Sequence, residues 1–150
     1  MASWTTGVAV VTSRADDGPR GATTNALTSL SLDPLLVLVA LDHRSNTLDA
    51  VRGSGRFCIN VLAAEQEQIA RRFATKASGD EKLAGVPHEL VDGVPVLAGV
   101  VAWLACELDR ELEGGDHTIL LGRPLEAGSD PGLQPLVFHG GRYHAGSFGG

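Results

Sequence analysis

Hydroxyl and amide side chains gather in two short segments of this sequence. In the first, Thr24, Asn25, Thr28, Ser29 and Ser31 stand beside the small residues Ala22 and Ala26. Donors, acceptors and room for close backbone approach suit a flat ligand that is hydrogen-bonded along one edge. An ordinary solvent-facing strand rich in Thr and Ser has the same composition. In the second, Ser45, Asn46 and Thr47 precede Leu48-Asp49-Ala50-Val51-Arg52-Gly53. A helix start at this point offers free N–H groups and the positive end of its dipole to a phosphate. Arg44 and Arg52 stand ready as charge-assisted donors. Plain N-capping uses the same residues. Taken together, the two segments suit the two ends of a flavin mononucleotide.

Other chemistry lacks its signature. No G-x-x-x-x-G-K, G-x-G-x-x-G, G-x-S-x-G or H-E-x-x-H occurs, which leaves phosphate loops, dinucleotide folds, nucleophile elbows and zincin sites without support. The histidines at 43, 88, 117, 139 and 144 show no ligand spacing, so no metal is expected. Cys58 and Cys106 form no C-x-x-C pair and read as two buried thiols. Twelve Lys and Arg against eighteen Asp and Glu give a net charge of −6 with no basic run, a poor balance for nucleic acid. The longest apolar run, Leu35 to Leu41, is far short of the ~20 residues of a membrane helix. No signal-like segment opens the chain, so a soluble, cytoplasmic protein is expected.

Positioning these residues requires strands. Residues 7–13 are β-branched and lead into the turn Asp16-Asp17-Gly18-Pro19. Residues 21–32 read as one strand, alternating from Asn25 onward, which Asp33-Pro34 ends. Residues 35–42 are apolar throughout and should be buried on both faces. A short helix follows Ser45-Asn46-Thr47 and stops at Gly53. Residues 56–62 form a strand and 65–74 an amphipathic helix with Glu67 and Arg71 four apart. Residues 75–95 read as loop with one possible short strand. Strands over 96–109 and 118–125 pair across a turn at 111–115, and 136–139 with 141–144 finish the chain. With 150 residues, nineteen of them Gly, and no internal repeat, residues 1–150 form one domain. The expected class is mainly β, an antiparallel barrel of six or seven strands with two short helices outside it.

Four blocks carry a resemblance. They are TGVAVVTS with GATTNALTSLSLDPLLVLVALDHRSNTL, then FCINVLAAEQEQIARRFA, GDHTILLG and PLVFHGGRYH. In order and spacing, over essentially the whole chain, they resemble the short-chain flavin reductases, FMN-binding split-barrel proteins that serve two-component monooxygenases. That resemblance implies hydride transfer from NADH or NADPH to FMN or FAD, a homodimer, and a partner flavin-dependent monooxygenase. It implies that Thr24, Asn25, Ala26, Leu27, Thr28 and Ser31 lie along the flavin ring. Ser45, Asn46 and Thr47 would take the phosphate, with Arg52 and Phe73 nearby. Asp116 and His117 would stand at the nicotinamide, His117 as the catalytic residue, with Arg142, Tyr143 and His144 on the pyridine-nucleotide or dimer side. A flavin-storage or electron-carrier protein on the same barrel is the alternative.

Overall fold

The computed structural model describes residues 1–149. Its elements run β1 (Thr6–Gly7), β2 (Ala9–Ala15), β3 (Gly18–Thr24), β4 (Leu27–Leu32), β5 (Leu35–Asp42), α1 (Asn46–Ser54), β6 (Arg56–Val61), α2 (Glu67–Phe73), α3 (Gly79–Leu83), β7 (His88–Val91), β8 (Val94–Leu97), β9 (Ala102–Gly114), β10 (His117–Ser129), β11 (Leu136–His139) and β12 (Arg142–Ala145). Seven strands form one antiparallel sheet in the order β3-β2-β6-β9-β10-β5-β4. Its two edge strands, β3 and β4, are consecutive in the chain and only Asn25 and Ala26 separate them. Two residues span less than about 10 Å, so the edges must come together and the sheet rolls into a barrel. No ladder joins β3 to β4, and the barrel stays split there.

This break corrects the single strand expected over 21–32. The Thr24 hydroxyl donates to the carbonyl of Ala40 at 3.3 Å and accepts the N–H of Ala26 at 3.0 Å. Ala40 in turn donates its N–H to the Ala26 carbonyl at 2.9 Å. Thr24 thus ends pairing with β2 and hands the chain to β5.

β2 is buried on both faces because its alternate residues serve two cores. Ala9 and Val11 point into the barrel with Val39, Leu41, Leu48, Val51, Phe57 and Leu120. Val10, with Val8 just before the strand, packs outward beneath α2 and α3, with Phe73, Leu83, Leu97 and Leu136. β5 behaves differently from the two-sided burial expected of it. Val37, Val39 and Leu41 are buried, whereas Leu36, Leu38 and Ala40 are only half-buried and Leu35 is 49% exposed. Leu32, across the hairpin, is 89% exposed.

Residues 75–95 hold more structure than expected. They contain α3 and the start of the β7–β8 hairpin, which turns at Asp92 and Gly93, both at positive φ (50° and 81°) as such a tight turn demands. Asn60 pins β8 to the barrel: it donates to Val10 O (3.0 Å) and Thr12 Oγ1 (3.1 Å) and accepts the Leu97 N–H at 2.9 Å. The strand expected from Val96 is therefore cut between Leu97 and Ala102. β9 lies further along the chain than expected, β10 is longer than expected, and the two meet at a two-residue turn, Gly115-Asp116. β11 and β12 form a hairpin through Gly140 and Gly141 (φ 63° and 74°), with β1 on the outer side of β11. Among the described residues no helix is long and apolar enough to cross a membrane.

Candidate functional site

α1 begins where the Ser45 hydroxyl accepts the Thr47 N–H at 3.2 Å. Asp49 sits in its first turn and favours the dipole. Gly55 closes it in the left-handed region (φ 71°), donating to Val51 O at 2.7 Å. Leu48, Ala50 and Val51 bury its inner face on the barrel, so the N-terminus is held at the barrel's end. It opens into a cleft of about 760 Å³ walled by residues 20–23 of β3, residues 42–47, and residues 73–82.

Two glycines let the third wall approach. A Cβ on Gly21 would lie 2.5 Å from the Phe73 ring, and one on Gly79 would overlap the carbonyl of Pro19. With no side chain at either position, α2 and α3 close on β3. Ser78 starts α3 by accepting the Glu81 N–H at 3.2 Å.

The charges in the cleft are mostly tied. Arg44 reaches Asp42 through its backbone N–H at 2.8 Å and its Nε at 3.2 Å, and these bonds pull the Asp42 carboxyl down to about 2. Arg20 is held by Asp17 at 2.8 Å and by the Pro19 carbonyl at 3.0 Å. Lys82 differs: it is buried, and its Nζ donates to the Gly21 carbonyl at 2.9 Å. Desolvation pushes its pKa below the usual lysine range.

Ser45, Asn46, Thr47 and Phe73 line this cleft together. Thr24, Asn25, Ala26, Leu27, Thr28 and Ser31 continue from its β3 wall across the split into β4, with Asn25 and Ala26 exposed. Asp116 and His117 stand at the tip of the β9–β10 hairpin, where His117 pairs with Asp42 of the cleft wall. The His117 Nδ1 meets Asp116 Oδ1 at 2.8 Å, and this bond lowers the Asp116 pKa. His43 Nε2 reaches the His117 carbonyl at 3.0 Å. Arg52 lies at the other end of α1, gripped by Glu111 at 2.9 and 3.0 Å, and does not line the cleft. Arg142, Tyr143 and His144 lie on β12. There Tyr143 packs on Phe138 at 5.2 Å, and the Arg71 guanidinium sits 5.2 Å from the Tyr143 ring centroid. That hairpin backs α2 and stays outside the cleft.

A family model described as a flavin reductase-like domain matches residues 1–147. The chain belongs to the flavin reductase-like family. A flavin reductase of Pseudomonas putida is 36% identical over 145 residues, which cover 95% of this chain and 84% of the relative. The reductase subunit HsaB of a flavin-dependent monooxygenase from Mycobacterium tuberculosis is 34% identical over 148 residues, 95% of this chain and 77% of that one. The Streptomyces globisporus NADH:FAD oxidoreductase SgcE6, solved with NAD and FAD fragments, matches with a TM-score of 0.91 at 37% identity, over 97% of this chain and 88% of the other. In this flavin reductase-like chain, sequence reasoning passed over Arg20, Asp42 and the whole wall from Thr75 to Lys82. One local signal was present: Ser78 and Glu81 stand at capping-box spacing, marking the start of α3.

These residues fit a flavin nucleotide. The cleft volume lies within the ~300–1,000 Å³ of small-molecule sites. Its lining combines a capped helix start, several cations and the small residues Gly21 and Ala22.

Proposed function

We propose that this chain is an NAD(P)H:flavin oxidoreductase that moves a hydride from NADH or NADPH to FMN or FAD and supplies reduced flavin to a partner flavin-dependent monooxygenase. The observation that carries this reading is the convergence of the Ser45–Thr47 helix start and Phe73 on one cleft beside the 24–28 segment. Family membership over 1–147 supports it.

Bound flavin supplies the hydride acceptor. The protein's part is to hold it, orient the nicotinamide and limit water. Ser45, Asn46 and Thr47 present the first-turn amides to the phosphate. Thr24, Asn25, Ala26, Leu27 and Thr28, with Ser31, offer hydroxyl, amide and backbone groups to the ring edge. Asp116 engages His117 Nδ1 and leaves Nε2 as the nitrogen free to meet the pyridine nucleotide. Arg142, Tyr143 and His144 back the α2 wall. Arg52 acts by anchoring α1 to β9 through Glu111.

The whole chain, 1–150, works as one domain. It acts as a homodimer in which a second copy covers Leu30, Leu32 and Leu35, exposed by 47%, 89% and 49%. A cytoplasmic setting agrees with two free buried cysteines. The test is steady-state oxidation of NADH and NADPH with FMN, FAD or riboflavin supplied in turn. Turnover with a phosphorylated flavin is expected. Flavin binding without pyridine-nucleotide oxidation would instead assign the storage or carrier role.

A further inference from the structure

The turn that carries Asp116 and His117 has little packing to hold it. Gly115 adopts φ 71° with open space where a Cβ would stand, and the Asp116 side chain is 91% exposed. β10 begins at His117, and its ladder with β5 ends there too, at the pair His117–Asp42. Beyond that pair, the hydrogen bonds that tie the tip to the β5 side among the described residues all come from His43. This residue grips two successive carbonyls. Its backbone N–H donates to Asp116 O at 3.1 Å, and its Nε2 to His117 O at 3.0 Å.

A carbonyl oxygen only accepts, so the second contact requires the proton of His43 on Nε2. The His117 ring is fixed by the same logic, its Nδ1 carrying a proton toward the Asp116 carboxylate at 2.8 Å. Asp116 thus orients the ring of His117, while His43 holds the peptide on which that ring is mounted. His43 itself is exposed and does not line the cleft, although its neighbours Asp42 and Arg44 do. It belongs to no ion pair among the described residues, and its side chain makes one hydrogen bond there, to His117. An exposed imidazole gives up rotamer freedom for that single contact. Neither core packing nor charge pairing accounts for its placement. The grip on His117 does.

We propose that His43 is a positioning residue for the hydride transfer, holding the 116–117 peptide so that His117 Nε2 meets the nicotinamide. This rests on the flavin-reductase reading above and adds a residue to it. His43 touches neither flavin nor pyridine nucleotide and acts through His117. A small displacement of a group aimed at a reacting ring forfeits much of its effect. Loss of the Nε2 contact is therefore felt as weaker capture of the pyridine nucleotide. Flavin, held in a cleft that His43 does not line, keeps its affinity.

The experiment compares wild type with His43→Ala, His43→Gln, His117→Ala and the double variant His43→Ala/His117→Ala. It measures NADH and NADPH oxidation at saturating FMN, FMN Kd by fluorescence quenching, and backbone NMR relaxation at residues 115–117. His43→Ala is expected to raise KM for the pyridine nucleotide about threefold or more, the value of one lost hydrogen bond, with FMN Kd within about twofold. The Asp116 and His117 amides should gain fast motion. His43→Gln, whose side-chain amide donates in place of Nε2, should restore both readouts. In the double variant KM should match that of His117→Ala alone, because residues that act as one unit are not additive. An unchanged KM in His43→Ala overturns the proposal, whatever the tip's motion. So does an additive double variant, which would show that His43 acts apart from His117. A parallel rise in FMN Kd also overturns it, by assigning His43 to the 42–47 wall. A wild-type protein that oxidises neither NADH nor NADPH with any flavin overturns the flavin-reductase reading itself, and this role with it.

Discussion

The Phe73 ring occupies the space that a side chain at position 21 would need, with Cε1 2.5 Å from where a Cβ on Gly21 would stand. Gly21 belongs to the edge strand β3 and Phe73 to the last turn of α2, so this contact sets the distance between two walls of the cleft. Phe73 is also buried in the outer core, which leaves its ring little freedom to yield.

Replacing Gly21 with Ala therefore drives Phe73 out of place. Overpacking of this kind costs about 1–3 kcal/mol, and the same displacement widens the cleft. A lower Tm in thermal unfolding together with weaker FMN binding is the expected pair of results. A variant with wild-type stability and affinity would show that the two walls move independently.

Thr24 is the hinge between the sheet's two edges. Thr24→Val removes a donor to Ala40 O and the acceptor for the Ala26 N–H. The loss should be about 1–2 kcal/mol, measured by urea unfolding. FMN affinity should fall as well, since residues 25–28 take their direction from this turn.

His117→Ala should raise the KM for NADH about fivefold or more, the value of one lost hydrogen bond. The FMN Kd should stay within about twofold, because His117 does not line the cleft proposed for flavin. Asp116→Asn should act in the same direction and less strongly, by loosening the ring at Nδ1. Unchanged kcat and KM in His117→Ala would remove the residue from the pyridine-nucleotide side.

Cys58 and Cys106 provide a check on the barrel itself. Burial pushes both thiols up to about 12, with the neighbouring Cys106 adding to the effect on Cys58. A thiol whose folded pKa is raised holds its proton where the unfolded chain would lose it. Its contribution to stability is thus complete below about 9 and is lost as pH rises toward 12. Thiol-specific reagents at pH 8 should leave both residues unlabelled until denaturant is added. Rapid labelling of the native protein would mean that the barrel opens locally.

What could be foreseen from sequence followed the range of the interactions involved. The start of α1 was legible at Ser45-Asn46-Thr47 because capping is settled within three residues. The barrel class was legible from the β-branched run of β2, the alternation from Asn25 onward and the turns around them. The break after Thr24 was not, because its cause is the Ala40 carbonyl, sixteen positions away. Arg52 was placed beside the phosphate for its position on α1, yet its partner Glu111 arrives from β9, fifty-nine positions on. Lys82 lies in the 75–95 stretch that reads as loop. Its burial depends on the backbone of Gly21, sixty-one positions earlier, and on two glycines that let α2 and α3 close.

The central claim is that this cleft passes a hydride from a pyridine nucleotide to flavin. The most direct measurement is anaerobic mixing of the protein with NADH and FMN while both absorbances are followed. Bleaching of the flavin in step with NADH loss, one for one and faster by orders of magnitude than without protein, is the predicted result. NADH and oxidised FMN that persist together in the presence of the folded protein, tested likewise with FAD and with NADPH, would contradict it.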